Sequence, residues 1–210
     1  MFNMFEGDMP TRMSDRGLFI VIEGVDGTGK TTLAEGLQSR LSDLGMRSVL
    51  TAEPTDGPVG SLLRKGVTDN PKAEALLFVS DRAMHTDEMM EHVRNGETVI
   101  CDRYYASTLA YQAASGKGTD EKWLRALNDE VIAKPDFVFL LDADPELCSR
   151  RIDSRGEERS RFEHLDFQRL VRENYLRIAE EDGFTIIDAS QGPEQVLDEV
   201  FSKINDKLRD

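Results

Sequence analysis

The sequence predicts a three-layer α/β domain built on a five-stranded parallel sheet flanked by helices. Two observations predict it. Five short apolar runs, LFIVIE at 18–23, RSVLT at 47–51, TVICD at 98–102, DFVFLLD at 136–142 and FTIID at 184–188, alternate with segments of helical periodicity, the order expected of strands joined by helical crossovers. A glycine-rich stretch, GVDGTGKT at 24–31, lies directly between the first run and the first helical pattern. In such sheets ligands gather beyond the carboxyl ends of the strands, so the residues that follow each run are the first to search.

Each element has its own signal. Residues 1–17, MFNMFEGDMPTRMSDRG, mix methionine, charge, glycine and proline without a period and are expected to form a flexible leader before a single domain at 18–210. LFIVIE is continuously apolar, as in a strand covered on both faces. Over residues 30–44, Leu33, Leu37, Leu41 and Leu44 recur at three- and four-residue steps and Gly45 is a stop signal. Over 73–93, Leu76, Leu77, Ser80, Ala83 and Met84 are expected to face the core, with Phe78 and Arg82, four apart, on a different face. Over 167–181, Leu170, Val171, Tyr175, Ile178 and Ala179 form an apolar stripe opposite Arg172, Glu173, Arg177 and Glu180, and a last helix spans about 195–208.

Bulk properties narrow the function. A chain of 210 residues with 39% hydrophobic content supports one ordinary domain and no second independent one. With 40 acidic against 26 basic residues the net charge is −14, so a nucleic acid polymer is a poor partner, although a local basic pocket can still hold a small phosphorylated ligand. The acidity itself fits either a salty cytoplasm or ordinary solubility. Cys101 and Cys148 sit in separate apolar runs and suggest neither a disulfide scaffold nor a zinc site, in keeping with a reducing cytoplasm. No apolar stretch reaches the length of a membrane span and no export signal opens the chain, so a cytoplasmic location is expected. His85, His92 and His164 do not form a ligand triad and read as surface or packing residues.

GVDGTGKT carries the strongest chemistry. It matches a glycine, four free positions and Gly-Lys-Thr, the phosphate-binding loop of P-loop NTPases. Gly24, Gly27 and Gly29 allow the backbone to wrap an oxyanion with its N–H groups inward, and the helix start adds partial positive charge. Lys30 is placed to reach the β and γ phosphates, and Thr31 to ligate magnesium. The candidate ATP-binding set is therefore Gly24, Val25, Asp26, Gly27, Thr28, Gly29, Lys30, Thr31 and Thr32. A guanine-reading Asn-Lys-x-Asp is missing, and the third strand ends in Asp102-Arg103 rather than in an isolated acid, which favours a small kinase over a GTPase or a motor ATPase.

A nucleotide kinase needs cations around the transferred group. Arg103 is a candidate clamp for an acceptor phosphate, or else a structural ion pair. Asp102 is a candidate for a magnesium-bound water, for orienting a cation, or for a strand-terminal cap. The run RRIDSRGEERSRFE at 150–163 holds five arginines in an acidic protein. It reads as a short arginine-rich lid, with Arg151 toward ATP and Arg155, Arg159 and Arg161 competing for the γ phosphate, against a bland alternative of local salt bridges. Phe78 with Arg82 suggests a base-stacking platform beside a hydrogen-bonding cation. Asp26 is unusual beside a triphosphate and is expected to face the acceptor. No side-chain nucleophile is required, because the acceptor phosphate oxygen attacks the γ phosphorus directly.

Together these residues resemble the thymidylate kinase family. The resemblance rests on FIVIEGVDGTGKTTLAEGL at 19–37, EPTDGPVGSLLR at 53–64, EALLFVSDRAMH at 74–85, VICDRYYASTLAYQ at 99–112, the lid run and FTIIDAS at 184–190. It implies magnesium-dependent phosphorylation of dTMP to dTDP by ATP in a homodimer. It also implies an acceptor site of Asp26, Glu53, Pro54, Phe78, Arg82, Arg103, Ser107, Thr108, Tyr111 and Gln112, with Phe78 stacking on thymine and Tyr111 excluding a ribose 2′-hydroxyl. Catalytic cations would be Lys30, Arg103 and the lid arginines, and magnesium would lie at Thr31 and, through water, Asp102. Many bacterial members read Arg-Glu-Pro where this chain has Ala52-Glu53-Pro54, so another residue must compensate. The alternatives are a kinase for another nucleoside monophosphate or a deoxynucleoside, and a nucleotide-binding regulatory protein without turnover.

Overall fold

A computed structural model describes residues 16–115, 119–154 and 164–209. In chain order its elements are β1 (Phe19–Glu23), α1 (Lys30–Asp43), β2 (Ser48–Ala52), α2 (Pro58–Arg64), α3 (Pro71–Arg94), β3 (Thr98–Asp102), α4 (Tyr105–Ala114), α5 (Glu121–Asp129), β4 (Phe137–Asp142), α6 (Pro145–Asp153), α7 (Leu165–Asp182), β5 (Thr185–Asp188) and α8 (Pro193–Arg209). The five strands form one parallel sheet in the order β2-β3-β1-β4-β5. This is the three-layer P-loop NTPase architecture that the alternating runs predict. The chain leaves β1 for the β2 edge, returns to insert β3 beside β1, and then crosses to β4. That reversal opens a crevice at the carboxyl end of β1, the topological switch point where ligands bind in such sheets.

Strand alternation divides the core between two layers. Ile20, Ile22 and Ile100 pack in the cluster that holds Leu33, Leu37 and Leu41 of α1, whereas Phe19, Val21, Val99 and Cys101 pack with Met89 and Val93 of α3. Helix boundaries follow local chemistry. The Asn70 side chain accepts from the N–H groups of Lys72 and Ala73 at the start of α3, Asp144 does the same for Glu146 and Leu147 at α6, and proline occupies the first turn of both helices. Gly183, at φ 73°, ends α7 in a left-handed cap.

Several sequence expectations need correction. On α3, Leu76 and Met84 are each 49% exposed and Ser80 is exposed as well, whereas Ala75, Arg82, His85, Thr86, Met89 and Val93 are buried. The expected core face is thus turned outward. Apolar residues lie on nearly every side of this helix, and buried hydrogen-bond partners on other elements draw Arg82, His85 and Thr86 inward in place of the leucines. Leu44 and Leu170 also leave their expected stripes for the surface. The short helices α2, α4, α5 and α6 were not read from the sequence, and Arg150 and Arg151 of the expected lid belong to α6.

Of the expected leader, residues 1–15 lie outside the described residues. Arg16 pairs with Asp136, and the Gly17 N–H donates to the Val93 carbonyl at 2.8 Å. No helix among the described residues is long and apolar enough to cross a membrane.

Leu37, fully buried between α1 and the sheet, should cost about 2–5 kcal/mol of unfolding free energy when replaced by alanine. The same change at exposed Leu44 should cost under about 0.5 kcal/mol. Urea titration of the two variants beside the parent chain measures both.

Candidate functional site

The glycine loop closes over the carboxyl end of β1 because side chains are excluded there. A Cβ on Gly27, at φ 86°, would stand 2.5 Å from the Cys148 carbonyl oxygen of α6, so only glycine lets the loop lie against that helix. Val25 turns its side chain into the core, while its carbonyl accepts from Thr28 Oγ1 and Lys30 Nζ, each at 2.9 Å. Lys30 is buried. Burial first and the nearby Arg103 charge second push its amine down to about 8, against the opposing pull of Asp26, Asp102 and Glu23. A lysine so destabilised as a cation is one whose environment lacks a counter-charge of phosphate strength.

Across the crevice, β3 delivers Asp102 and Arg103. Ile22 of β1 stands in register with Asp102, and this brings Asp102 Oδ2 within 2.8 Å of the Thr31 hydroxyl that donates to it. The other carboxylate oxygen, Oδ1, is buried without a hydrogen-bond partner. A hydroxyl and a carboxylate with a spare oxygen fit magnesium, which takes one or two protein oxygens and fills its octahedron with phosphate oxygens and water. No cluster of three or more His, Cys, Asp or Glu residues suited to a metal occurs among the described residues.

Arg103 is the one non-glycine among the described residues with a positive φ, 71°. Its guanidinium lies 5.1 Å from the Tyr111 ring centroid. NH1 contacts Gly24 O, Ser107 Oγ and Tyr175 Oη at 3.2–3.3 Å, while NH2 donates to Asp26 Oδ1 and to Tyr111 Oη. Burial works to raise the Asp26 carboxyl, but Arg103, then Lys30 and the Tyr111 hydroxyl outweigh it, leaving it below the ordinary aspartate range. In the ligand-free chain Arg103 is therefore in an ion pair with Asp26, the second of the two sequence alternatives, and it also lines the crevice.

Behind it lies a second buried cation. Arg82 is 1% exposed and donates through Nε to Glu53, through NH1 to Asn128, and through NH2 to Tyr104 O and Thr108 Oγ1. A guanidinium has five N–H donors, one more than these contacts use. Glu53 also meets His85 Nδ1 at 3.1 Å, and His85 Nε2 meets Thr51 Oγ1 at 2.6 Å, so this histidine is a packing residue. Arg64 donates to the carbonyls of Pro54 and Thr55 and to Asp56, a clamp on the Glu53–Pro54 segment from a cation beyond Ala52.

Three cavities adjoin one another around these residues, neighbours sharing part of their lining. The first, about 190 Å³, is walled by Lys30, Thr31, Asp102, Arg103, Asp26 and Ala52. The second, about 720 Å³, shares Asp26, Glu53 and Arg103 with the first. It is also lined by Pro54, Phe78, Arg82, Ser107, Thr108, Tyr111 and Gln112, so all ten residues expected around an acceptor meet there. The third, about 300 Å³, shares Gly27, Gly29 and Thr32 with the first and adds Thr28 and Arg151, whose guanidinium donates to Ala189 O at 2.9 Å.

Sequence reading missed Ala189, Gln191 and Pro193 on the third cavity, and Glu74, Lys65 and Asn128 around the second. The segment at 184–190 carried a usable signal in following the fifth strand. Nothing local marked Asn128. Arg155, Arg159 and Arg161 lie outside the described residues.

The low value for Lys30 fixes the sign of one pH effect. Between about 8 and its unfolded value the unfolded chain binds more protons at this site, so the folded state gains as pH rises. The unfolding free energy of the ligand-free chain, measured against Lys30→Met to cancel other groups, should rise by up to about 3 kcal/mol from pH 8 to 10.5 and stay flat below pH 7.

Comparison with known proteins agrees with this geometry. A family model described as Thymidylate kinase matches residues 22–200. The chain is similar to a probable thymidylate kinase of Thermococcus kodakarensis, 42% identical over 206 residues covering 91% of this chain and 98% of that protein. It is 39% identical to one of Pyrobaculum aerophilum over 196 residues, covering 91% and 98%. A thymidylate kinase of Bifidobacterium longum subsp. infantis is 40% identical over 208 residues, covering 92% and 88%.

Proposed function

This chain belongs to the thymidylate kinase family and phosphorylates dTMP to dTDP with ATP, and we propose that the third cavity serves the donor base, the first the transferred phosphate and the second the acceptor. The observation that carries this reading is their adjacency: the glycine loop lines both the first and third cavities, and Arg103 both the first and second. The two phosphate chains then meet in the 190 Å³ cavity, between Lys30 and Arg103.

The donor base lies in the 300 Å³ cavity under Arg151, and the loop N–H groups with Lys30 hold its phosphates. Thr31 and, through water, Asp102 would hold magnesium, which would supply positive charge to offset the negative charge of the phosphates. Arg103 holds the acceptor phosphate, so that an oxygen of it faces the γ phosphorus in line, with no covalent enzyme intermediate. Lid residues Arg155, Arg159 and Arg161 add positive charge as the transition state forms.

Base choice follows from donor and acceptor polarity. Gln112 is buried and its amide nitrogen donates to Glu74, while its Oε1 lacks a hydrogen-bond partner beside the 720 Å³ cavity. That oxygen accepts from a ring N–H, and the spare N–H of Arg82 donates to a ring carbonyl, with Phe78 against the base face. Thymine and uracil offer that pair, and cytosine reverses it. Thr108, Glu53 and Pro54 fix Arg82 and the pocket wall. Ser107 steadies Arg103, while Tyr111, bonded to Asp26, walls the sugar.

The homodimer belongs to the same proposal. Leu76, Ser80 and Met84 recur four apart on the outward side of α3, and Leu62 and Val67 are also exposed, an apolar surface suited to a second copy. Met84→Arg should convert the dimer to monomer in light scattering at micromolar concentration.

Magnesium-dependent ADP formation from ATP should favour dTMP over dCMP, dGMP, AMP and thymidine by about 10³-fold or more in kcat/KM. Gln112→Ala should cut the dTMP value by about 10- to 100-fold. Preference for another acceptor would discard the thymine reading and keep the kinase.

A further inference from the structure

The start of α4 lacks the usual local cap. Its N-cap residue, Tyr104, makes no side-chain capping hydrogen bond, so the free N–H groups of the first turn need an acceptor from elsewhere. Glu23, the last residue of β1, supplies it. Oε1 accepts from the N–H groups of Tyr104 at 2.9 Å and Ser107 at 3.2 Å, and Oε2 accepts from Ser107 Oγ at 2.7 Å and Tyr175 Oη at 3.0 Å. The carboxylate is 0% exposed. Both of its oxygens are fully engaged, and neither reaches a cavity wall.

The groups that Glu23 holds are the ones that hold Arg103. Ser107 Oγ and Tyr175 Oη each accept from Arg103 NH1, at 3.2 and 3.3 Å. The Arg103 backbone is fixed between Asp102, at the end of β3, and Tyr104, whose N–H is bound to Glu23. A left-handed arginine is a strained conformation that persists only when its surroundings over-determine it. Ser107 Oγ and Tyr175 Oη also lie 2.7 Å apart, so one of their two hydrogens is shared between them and the other goes to the carboxylate, and both oxygens keep a lone pair for the guanidinium. One buried carboxylate thus sets both the backbone twist and the side-chain direction of the cation.

We infer that Glu23 is the positioning residue that aims Arg103 at the acceptor phosphate, acting through the first turn of α4, Ser107 and Tyr175. This rests on the reading of Arg103 as the acceptor-phosphate clamp. Glu23 touches neither substrate. Its contribution is the orientation of a group that does.

Glu23→Gln separates positioning from folding. The amide oxygen still accepts from the two backbone N–H groups, so the helix start stays capped. The amide nitrogen, however, donates toward Ser107 Oγ and Tyr175 Oη and competes with Arg103 for their lone pairs. Steady-state kinetics should show kcat/KM for dTMP falling by about 10- to 100-fold, while KM for ATP stays within about twofold, in protein whose circular dichroism matches the parent.

Ser107→Ala and the double variant complete a cycle. Effects smaller than the product of the single losses are expected, because both changes act on one contact chain. Arg103→Ala, measured in parallel, keeps the two readings apart. If Arg103→Ala spares kcat/KM for dTMP, the clamp assignment fails. If it abolishes turnover with dTMP while Glu23→Gln leaves dTMP kinetics at parental values, or damages dTMP and ATP terms equally, the positioning role is overturned and Glu23 is only a buried cap.

Discussion

The parallel pairing of β3 against β1 is the constraint on which the rest of the site depends. With Ile22 opposite Asp102, the chain emerging from β1 into the glycine loop and the chain emerging from β3 into α4 leave the sheet at one level, side by side. Every later contact uses that level: Thr31 reaches Asp102, Asp26 reaches Arg103, and Glu23 reaches the start of α4. A slip of one residue would turn Asp102 to the other face of the sheet and leave Arg103 aimed into a helix layer, since side chains alternate along a strand. The apolar clusters on either side of β1 resist such a slip, because it would bring a polar strand end into them. Core packing and phosphate chemistry are in this sense held by one register.

Electrostatics then concentrates charge that the rest of the molecule lacks. The chain carries −14 overall, yet Lys30 and Arg103 line the first cavity and Arg82 and Arg103 the second. Three cations gathered in a low-dielectric crevice repel each other, and the structure answers with Asp26, Glu53 and Glu23. Burial, the largest effect, lifts the Glu23 carboxyl above its usual range, and its hydrogen bonds and Arg103 draw it back only in part. Lys30 is the member left least compensated. An incoming triphosphate is the charge best able to complete that balance, which ties the electrostatic strain of the ligand-free chain to the ligand that relieves it.

The legible part of the sequence was the part governed by local rules. All five apolar runs became strands, displaced by no more than a residue or two, and the three central ones, β1, β3 and β4, are largely buried on both faces, where a short apolar stretch is signal enough. GVDGTGKT was legible because its backbone demands glycine at positions that a Cβ would block. What resisted was set by tertiary partners. The inward turn of Arg82 and His85 on α3 depends on Thr51 of β2, Glu53 just after it and Asn128 of α5. Helix α4 hid because its cap is a glutamate 81 residues away along the chain. The residues at 107–112 expected around an acceptor became readable through family resemblance, and four of them, Ser107, Thr108, Tyr111 and Gln112, line one cavity.

Stability alone does not account for these buried charges. A buried ion pair is replaced by well-packed apolar groups at little loss, and often with gain, because desolvation of both partners offsets their attraction. Arg82 with Glu53 and Arg103 with Asp26 therefore contribute less to folding than their short contacts suggest. Their geometry is better understood as preorganisation. Each guanidinium is held by several partners at once, so its orientation is fixed in the ligand-free chain and need not be ordered later. An apolar replacement would strengthen the fold and remove that orientation, which is why a chain selected for phosphoryl transfer keeps the costlier arrangement.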